Sequence, residues 1–209
     1  LRMHSPPDVV VVGGGVIGCA TAFFLSKQGV RCLLLEPDGL GGKASGNAAG
    51  ELSPLNRSGQ IDELSGFSVH SLKLHRELSE QLTEESGIDY HLTYTPTFRP
   101  AFTFGELEQQ KATLRNYHEN GISAEWLDRS TLNRMGTYLP YETLGAVYTE
   151  SELQLEAHLF TQALGESAKR SGTVIQSRKV TGLAVKRESV AGLYPNYGYI
   201  EAHTVILAI

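Results

Sequence analysis

Residues 8–36 read DVVVVGGGVIGCATAFFLSKQGVRCLLLE, and their order decides the fold. Val9 to Val12 form an uncharged, fully apolar run, as a parallel strand covered on both faces requires. Gly13, Gly15 and Gly18 follow with the spacing G-x-G-x-x-G. Gly13 permits a tight turn, Gly15 lets backbone approach a pyrophosphate, and Gly18 lets the next helix lie close on the strand. Val16 and Ile17 open that helix, whose free N–H groups and partial positive charge suit phosphate oxygens. Ala20, Phe23, Phe24 and Leu25 supply its apolar stripe, and Gly29 ends it. RCLLLE, residues 31–36, reads as a second strand with Glu36 at its end, followed by Pro37. A carboxylate there accepts both hydroxyls of an adenosine ribose and repels a 2′-phosphate. Together these features specify a dinucleotide site without separating NAD from FAD.

A second glycine run, GLGGKASGNAAG at residues 39–50, has five glycines and three alanines around Lys43, Ser45 and Asn47. A flat ring system and a diphosphate pack directly on backbone only where side chains are missing. The bland alternative is a flexible surface loop with a helix cap at Ser45.

VVVVGGGVIG (9–18), LLLE (33–36) and above all GGKASGNAAG (41–50) resemble the FAD-dependent amine and amino-acid oxidoreductases of the D-amino-acid oxidase superfamily. Glycine oxidase, sarcosine oxidase and the D-amino-acid dehydrogenases belong to that superfamily. The resemblance implies FAD as the cofactor, with the second run crossing it. Ala44 and Ser45 then lie by the diphosphate, Asn47, Ala48, Ala49 and Gly50 lead towards the isoalloxazine, and Lys43 belongs to the same cofactor-binding run. Glu51 departs from the pattern, since the family commonly has an apolar residue there. Its carboxylate either faces a substrate amine or turns to solvent. Val180 matches a family valine whose backbone bonds to adenine; alone, it reads as a buried strand residue, and the two readings are compatible.

The rest of the chain follows the same outline. Residues 60–87 read as a long helix with Leu64, Phe67, Ser71, Leu74, Leu78 and Leu82 on one face. Strands around a turn, a helix and a strand running into a short helix capped near Asp128 or Ser130 come next. The stretch from residue 153 to 172 resembles the helix that re-enters the FAD domain, and residues 173–185 read as two strands. The expected fold is α/β: a three-layer, Rossmann-type FAD-binding domain interrupted by part of a mixed, β-rich substrate domain. The expected division is residues 8–87 and 151–209 for FAD and 88–150 for substrate.

Composition excludes several classes. The formal net charge of -5, with no basic stripe, argues against nucleic acid. Residues 9–25 carry no charge, but the run is too short and too glycine-rich for a transmembrane span. His70 and His75 do not share a helical face, so no metal pattern arises. Cys19 and Cys32 fall in a helix and a strand as small core residues, which suits a cytoplasmic protein. The chain opens on Leu1 and closes on HTVILAI, so a fragment is expected.

The resemblance implies oxidation of a C–N bond in an amino acid or secondary amine, by hydride transfer to flavin N5. It marks no catalytic residue in this chain. Three other readings stay open: a flavin enzyme acting on a tRNA base, an NAD(P)-dependent oxidoreductase, and a non-catalytic nucleotide-binding fragment.

Overall fold

The computed structural model describes residues 6–55 and 62–209. The chain divides into two compact units. One comprises the residues up to Gly50 with Ser79–His91 and Glu156–Ile209, and the other comprises Glu51–Leu78 with Leu92–Leu155. In chain order the elements are β1 (Val9–Val12), α1 (Val16–Lys27), β2 (Cys32–Leu35), a 3-10 turn (Ala44–Asn47), β3 (Glu51–Leu52) and α2 (Ser65–Ser86). Then come β4 (Thr93–Ala101), α3 (Phe104–Glu119), β5 (Glu125–Asp128), α4 (Arg129–Arg134), β6 (Gly145–Gln154) and α5 (Ala157–Arg170). The last elements are β7 (Val174–Gln176), β8 (Val180–Lys186), β9 (Ser189–Pro195), β10 (Ile200–Glu201) and β11 (Val205–Leu207). Among the described residues no helix is long and apolar enough to cross a membrane.

The first unit is built on a parallel sheet of order β11-β1-β2-β7. Side chains alternate along a strand, so Val10, Val12, Leu33 and Leu35 share one face. They meet Leu193 and Ala202 of an antiparallel sheet, β10-β9-β8. The opposite face meets α1, which packs on β1 and β2 and against α5. Helices, parallel sheet and antiparallel sheet thus form the three layers expected of this Rossmann-type fold, with β2 buried throughout and β1 buried after the half-buried Val9.

The buried face of α1 differs from the expected stripe. Gly18, Cys19, Ala22, Phe23 and Ser26 are buried, whereas Phe24 is exposed and Ala20 and Leu25 are half-buried. Small residues win the inner face because a Cβ on Gly18 would stand 1.9 Å from the Gly13 carbonyl oxygen. The helix therefore lies too close for a row of large side chains. At its end Gln28 caps the helix, and Gly29 adopts φ +78°, as expected.

In the second unit the ten-residue β6 pairs along its length with β4, while β3 and β5 share its other side. The expected pair of strands after residue 88 is one strand, β4, which carries Pro96 and Pro100. It lies at the sheet edge, and its register shifts between Thr95 and Thr97, where a missing N–H costs no ladder bond. Helix α2 begins at Ser65, and its expected stripe holds at Leu82, while Leu64 and Phe67 are exposed. Asp128 caps α4, as read from the sequence.

A buried charged cluster ties this sheet together. Glu152, 1% exposed, accepts from Arg99 Nη2 at 3.1 Å, Tyr117 OH at 3.1 Å, Thr97 Oγ1 at 2.9 Å and Ser53 Oγ at 3.1 Å. Four donors, from β4, α3 and the β3 exit, leave this carboxylate fully satisfied, as a buried charge requires. Burial pushes the Tyr117 phenol up to about 12.

Candidate functional site

A cleft of about 680 Å³ opens in the first unit at the carboxyl ends of β1, β2 and β11. That is where open α/β sheets bind ligands, and the volume falls within the range of about 300–1,000 Å³ for small-molecule sites. Its walls come from three stretches close in sequence and two distant ones.

The glycine turn forms the first wall. Gly13, at φ +111°, leaves β1 so close to β11 that a Cβ there would sit 2.2 Å from the Ala208 carbonyl oxygen. The expected tight turn is therefore also a close approach of two strands. Gly15 faces the second glycine run, where its Cβ would stand 3.0 Å from Ser45 Oγ. Ile17, 67% exposed, also lines the cleft, so an apolar side chain at the start of α1 is left facing it.

Glu36 and its followers form the second wall, with Pro37 and Asp38. The Glu36 carboxylate accepts the Gly14 N–H through Oε2 and the Asp38 N–H through Oε1, each at 2.7 Å. It thus clips the exit of β2 to the glycine turn. A Cβ on Gly14 would lie 2.6 Å from Glu36 Cγ, which explains the middle glycine of the triplet. Nearby, burial and then the Glu36 charge push the Cys19 thiol up to about 12, so it stays protonated.

The second glycine run supplies the third wall through Lys43, Ala44 and Ser45. Ser45 Oγ accepts the Val16 N–H at 3.0 Å, filling one donor at the start of α1 and leaving the hydroxyl hydrogen free to turn. Lys43 Nζ pairs with Asp38 at 3.0 Å between the second and third walls. The run is held from behind by α5, where a Cβ on Gly165 would reach 2.3 Å from Leu40 Cδ1. A Cβ on Gly46 would lie 1.9 Å from the Gly41 carbonyl oxygen, so the loop folds tightly on itself.

The structure brings together Gly13, Gly15, Ile17, Glu36, Pro37, Lys43, Ala44, Ser45 and Val180 in this cleft. Val16 stands at its edge through the Ser45 contact, and Gly18 is buried behind the turn. Asn47, Ala48 and Ala49 lie outside the cleft and are all exposed, and Asn47 Nδ2 donates back to the Lys43 carbonyl at 2.8 Å. Gly50, at φ +78°, is buried. Glu51 is exposed and begins β3 in the other unit, paired with Gln154.

Arg178, Lys179, Leu207, Ala208 and Ile209 complete the lining and were not anticipated. Arg178 donates to the Tyr197 carbonyl, and its guanidinium lies 5.6 Å over the Tyr197 ring. The adjacency of these two basic residues to Val180 was the one available signal. A cradle of missing Cβ atoms beside a helix N-terminus, with a carboxylate and a hydroxyl at fixed positions, suits a flat dinucleotide with a diphosphate.

Comparison with known proteins agrees. The DAO family, described as FAD dependent oxidoreductase, matches residues 8–209. Glycine oxidase of Bacillus subtilis is 28% identical over 80% of this chain and 44% of its own length. Sarcosine oxidase subunit beta of Arthrobacter is 31% identical over 96% of this chain and 50% of its own. The crystal structure of glycine oxidase from Geobacillus kaustophilus superposes with a TM-score of 0.88 at 27% identity, covering 97% of this chain and 55% of that one. The chain spans about half the length of the curated relatives it matches.

Proposed function

We propose, since this chain belongs to the DAO family of FAD-dependent oxidoreductases, that the protein oxidises a C–N bond of an amino acid or amine. FAD is the cofactor of that family, and the cleft of the first unit fits its ADP half. The observation that carries this reading is the convergence of Gly13, Gly15, Glu36 and Ser45 on one concavity at the sheet's carboxyl end. The names of the relatives, glycine oxidase and sarcosine oxidase, support the substrate class. D-amino acids fall within it.

Each residue has a role that follows from its position. Gly13 and Gly15 keep side chains away from the diphosphate, and the first turn of α1 directs N–H groups and partial positive charge at it. Ser45 receives the Val16 N–H and can donate its own hydrogen to a phosphate oxygen. Glu36 holds the ribose hydroxyls while keeping its grip on the turn. Val180, beside Lys179 in the cleft, offers backbone groups to the adenine. The run from Asn47 to Gly50, with Glu51 after it, leads from the diphosphate towards the ring. FAD, when bound, accepts the electron pair removed from the carbon beside the substrate nitrogen.

The division of labour follows. On this reading residues 8–87 and 151–209 chiefly serve FAD and residues 88–150 begin a substrate domain, although Glu51–Leu78 pack in the second compact unit. With both cysteines buried and unpaired, a cytoplasmic location fits.

The test is anaerobic reduction of the full-length protein by glycine, sarcosine, D-alanine, D-proline and simple amines. Bleaching of a bound flavin by at least one of them is expected. A protein that carries flavin but is reduced by none, and is reduced instead by a non-nitrogenous donor, would remove the assignment.

A further inference from the structure

A second concavity, of about 200 Å³, lies wholly within the second unit, between the β3 strand and the first half of α2. For scale, a cavity of about 150 Å³ accepts a benzene-sized molecule. Three of its walls matter chemically. Glu51 stands at the start of β3, fixed by pairing with Gln154, and its carboxylate has no hydrogen bond or ion pair among the described residues. Ser53, two residues on and so on the same side of the extended chain, also lines the cavity. Its hydroxyl hydrogen is committed to the buried Glu152 at 3.1 Å, so towards the cavity it has only lone pairs to offer. Opposite them is Phe67 of α2, an aromatic ring left 73% exposed.

These walls set the charge and the hydrogen-bonding sense of the ligand. Glu51 and Ser53 both accept, so the ligand must donate. The Glu51 carboxylate has no basic partner among the described residues, so a positively charged ligand gains there. The Phe67 face attracts a cation and covers alkyl groups. The remaining ionisable lining residue is His75, whose pKa burial lowers, which disfavours a positive charge there. A carboxylate on the ligand next to its nitrogen would be brought towards Glu51 and repelled.

We propose that the cavity walled by Glu51, Ser53 and Phe67 binds the protonated nitrogen of a small alkylamine that carries no carboxylate beside that nitrogen. The binding follows from the walls alone. That the bound amine is also the one oxidised, once its ammonium proton has passed to the Glu51 carboxylate and freed the nitrogen lone pair, rests on the function proposed above, and it narrows that function from amino acids to amines.

The experiment is calorimetric titration of the full-length protein with n-propylammonium, its neutral counterpart n-propanol, and glycine. Binding of n-propylammonium is expected, with the other two weaker by about tenfold or more, the scale of one charge-assisted hydrogen bond. Glu51→Gln, at an exposed position, should weaken n-propylammonium about tenfold. Phe67→Leu should weaken it less. The proposal is overturned if n-propylammonium does not bind, if n-propanol or glycine binds as tightly, or if Glu51→Gln leaves its affinity unchanged. A protein that binds n-propylammonium through Glu51 yet contains no flavin keeps this site and loses the proposed function. Flavin reduction by glycine with no Glu51-dependent amine binding keeps the proposed function and removes this site.

Discussion

Glu36 and Gly14 are joined by a 2.7 Å hydrogen bond from the Gly14 N–H to Glu36 Oε2, across the gap between the end of β2 and the glycine turn. The acid that sequence patterns assign to a ribose is thus also a clip that holds the phosphate turn in shape. Both of its oxygens already accept backbone donors, the second from Asp38. A carboxylate can accept further hydrogen bonds at each oxygen, so the clip and a ribose contact are compatible.

The clip has a consequence without any cofactor. Glu36→Gln turns one acceptor into a donor facing a backbone N–H. The full-length apoprotein should lose about 1–3 kcal/mol, the cost of leaving a buried group unsatisfied. Urea unfolding of the apoprotein measures it. An unchanged midpoint and slope would show that the contact contributes nothing to the turn.

The glycines fall into two kinds that a stability series separates. A Cβ would meet backbone at 2.2 Å at Gly13 and 1.9 Å at Gly18, but nothing within 4 Å at Gly29. Gly18→Ala should cost about 1–3 kcal/mol through overpacking. Gly13→Ala should cost more, because φ +111° adds backbone strain to the clash. Gly29→Ala should lose only about 1 kcal/mol, from its left-handed conformation. Equal losses at all three positions would contradict the close approach of β1, β11 and α1.

Arg99 and Glu152 provide a buried pair in the second unit. Their side chains are 15% and 2% exposed. Glu152→Gln removes the carboxylate that Arg99 Nη2 pairs with and should destabilise by about 3–5 kcal/mol. Adding Arg99→Met to Glu152→Gln should recover part of that loss. A double variant less stable than the single one would show that the arginine is held by something other than this carboxylate.

Cys19 gives a pH dependence of known sign. Its thiol pKa is raised from 9.0 to about 12, first by burial and then by the Glu36 charge. The folded state therefore keeps the proton longer than the unfolded state. The contribution is fully present below pH 9 and is lost as pH rises towards about 12, at up to ~1.4 kcal/mol per pH unit. Replacing Cys19 by Ala should flatten this part of the stability–pH curve. Native Cys19 should also resist alkylation at pH 8 and react once urea unfolds the chain.

The first strand, turn, helix and second strand were legible because their signals are local. An apolar run, three spaced glycines and an acid need no distant partner to be read. The second glycine run was legible for a related reason, since stripped side chains mark close approach, and Ser45 stands against Val16. What escaped depends on long-range pairing. Arg178, Lys179, Leu207 and Ala208 enter the cleft only because the three-residue strands β7 and β11 join opposite edges of the parallel sheet. Their own sequences are too short to carry a period. The stripe of α1 was misread at Phe24 because hydrophobicity outranks size in a periodic pattern, whereas Gly18 sets the helix so close that Cys19 and Ala22 take the inner face.

The most direct test of the central claim, that this cleft holds FAD, is the molar ratio of FAD to chain in the purified full-length protein and its Glu36→Arg variant. The wild type should carry FAD in equimolar amount. The variant places a bulky cation at the proposed ribose contact and should carry almost none, with its far-UV circular dichroism retained. Equimolar FAD in the variant, or none in the wild type, would contradict the account.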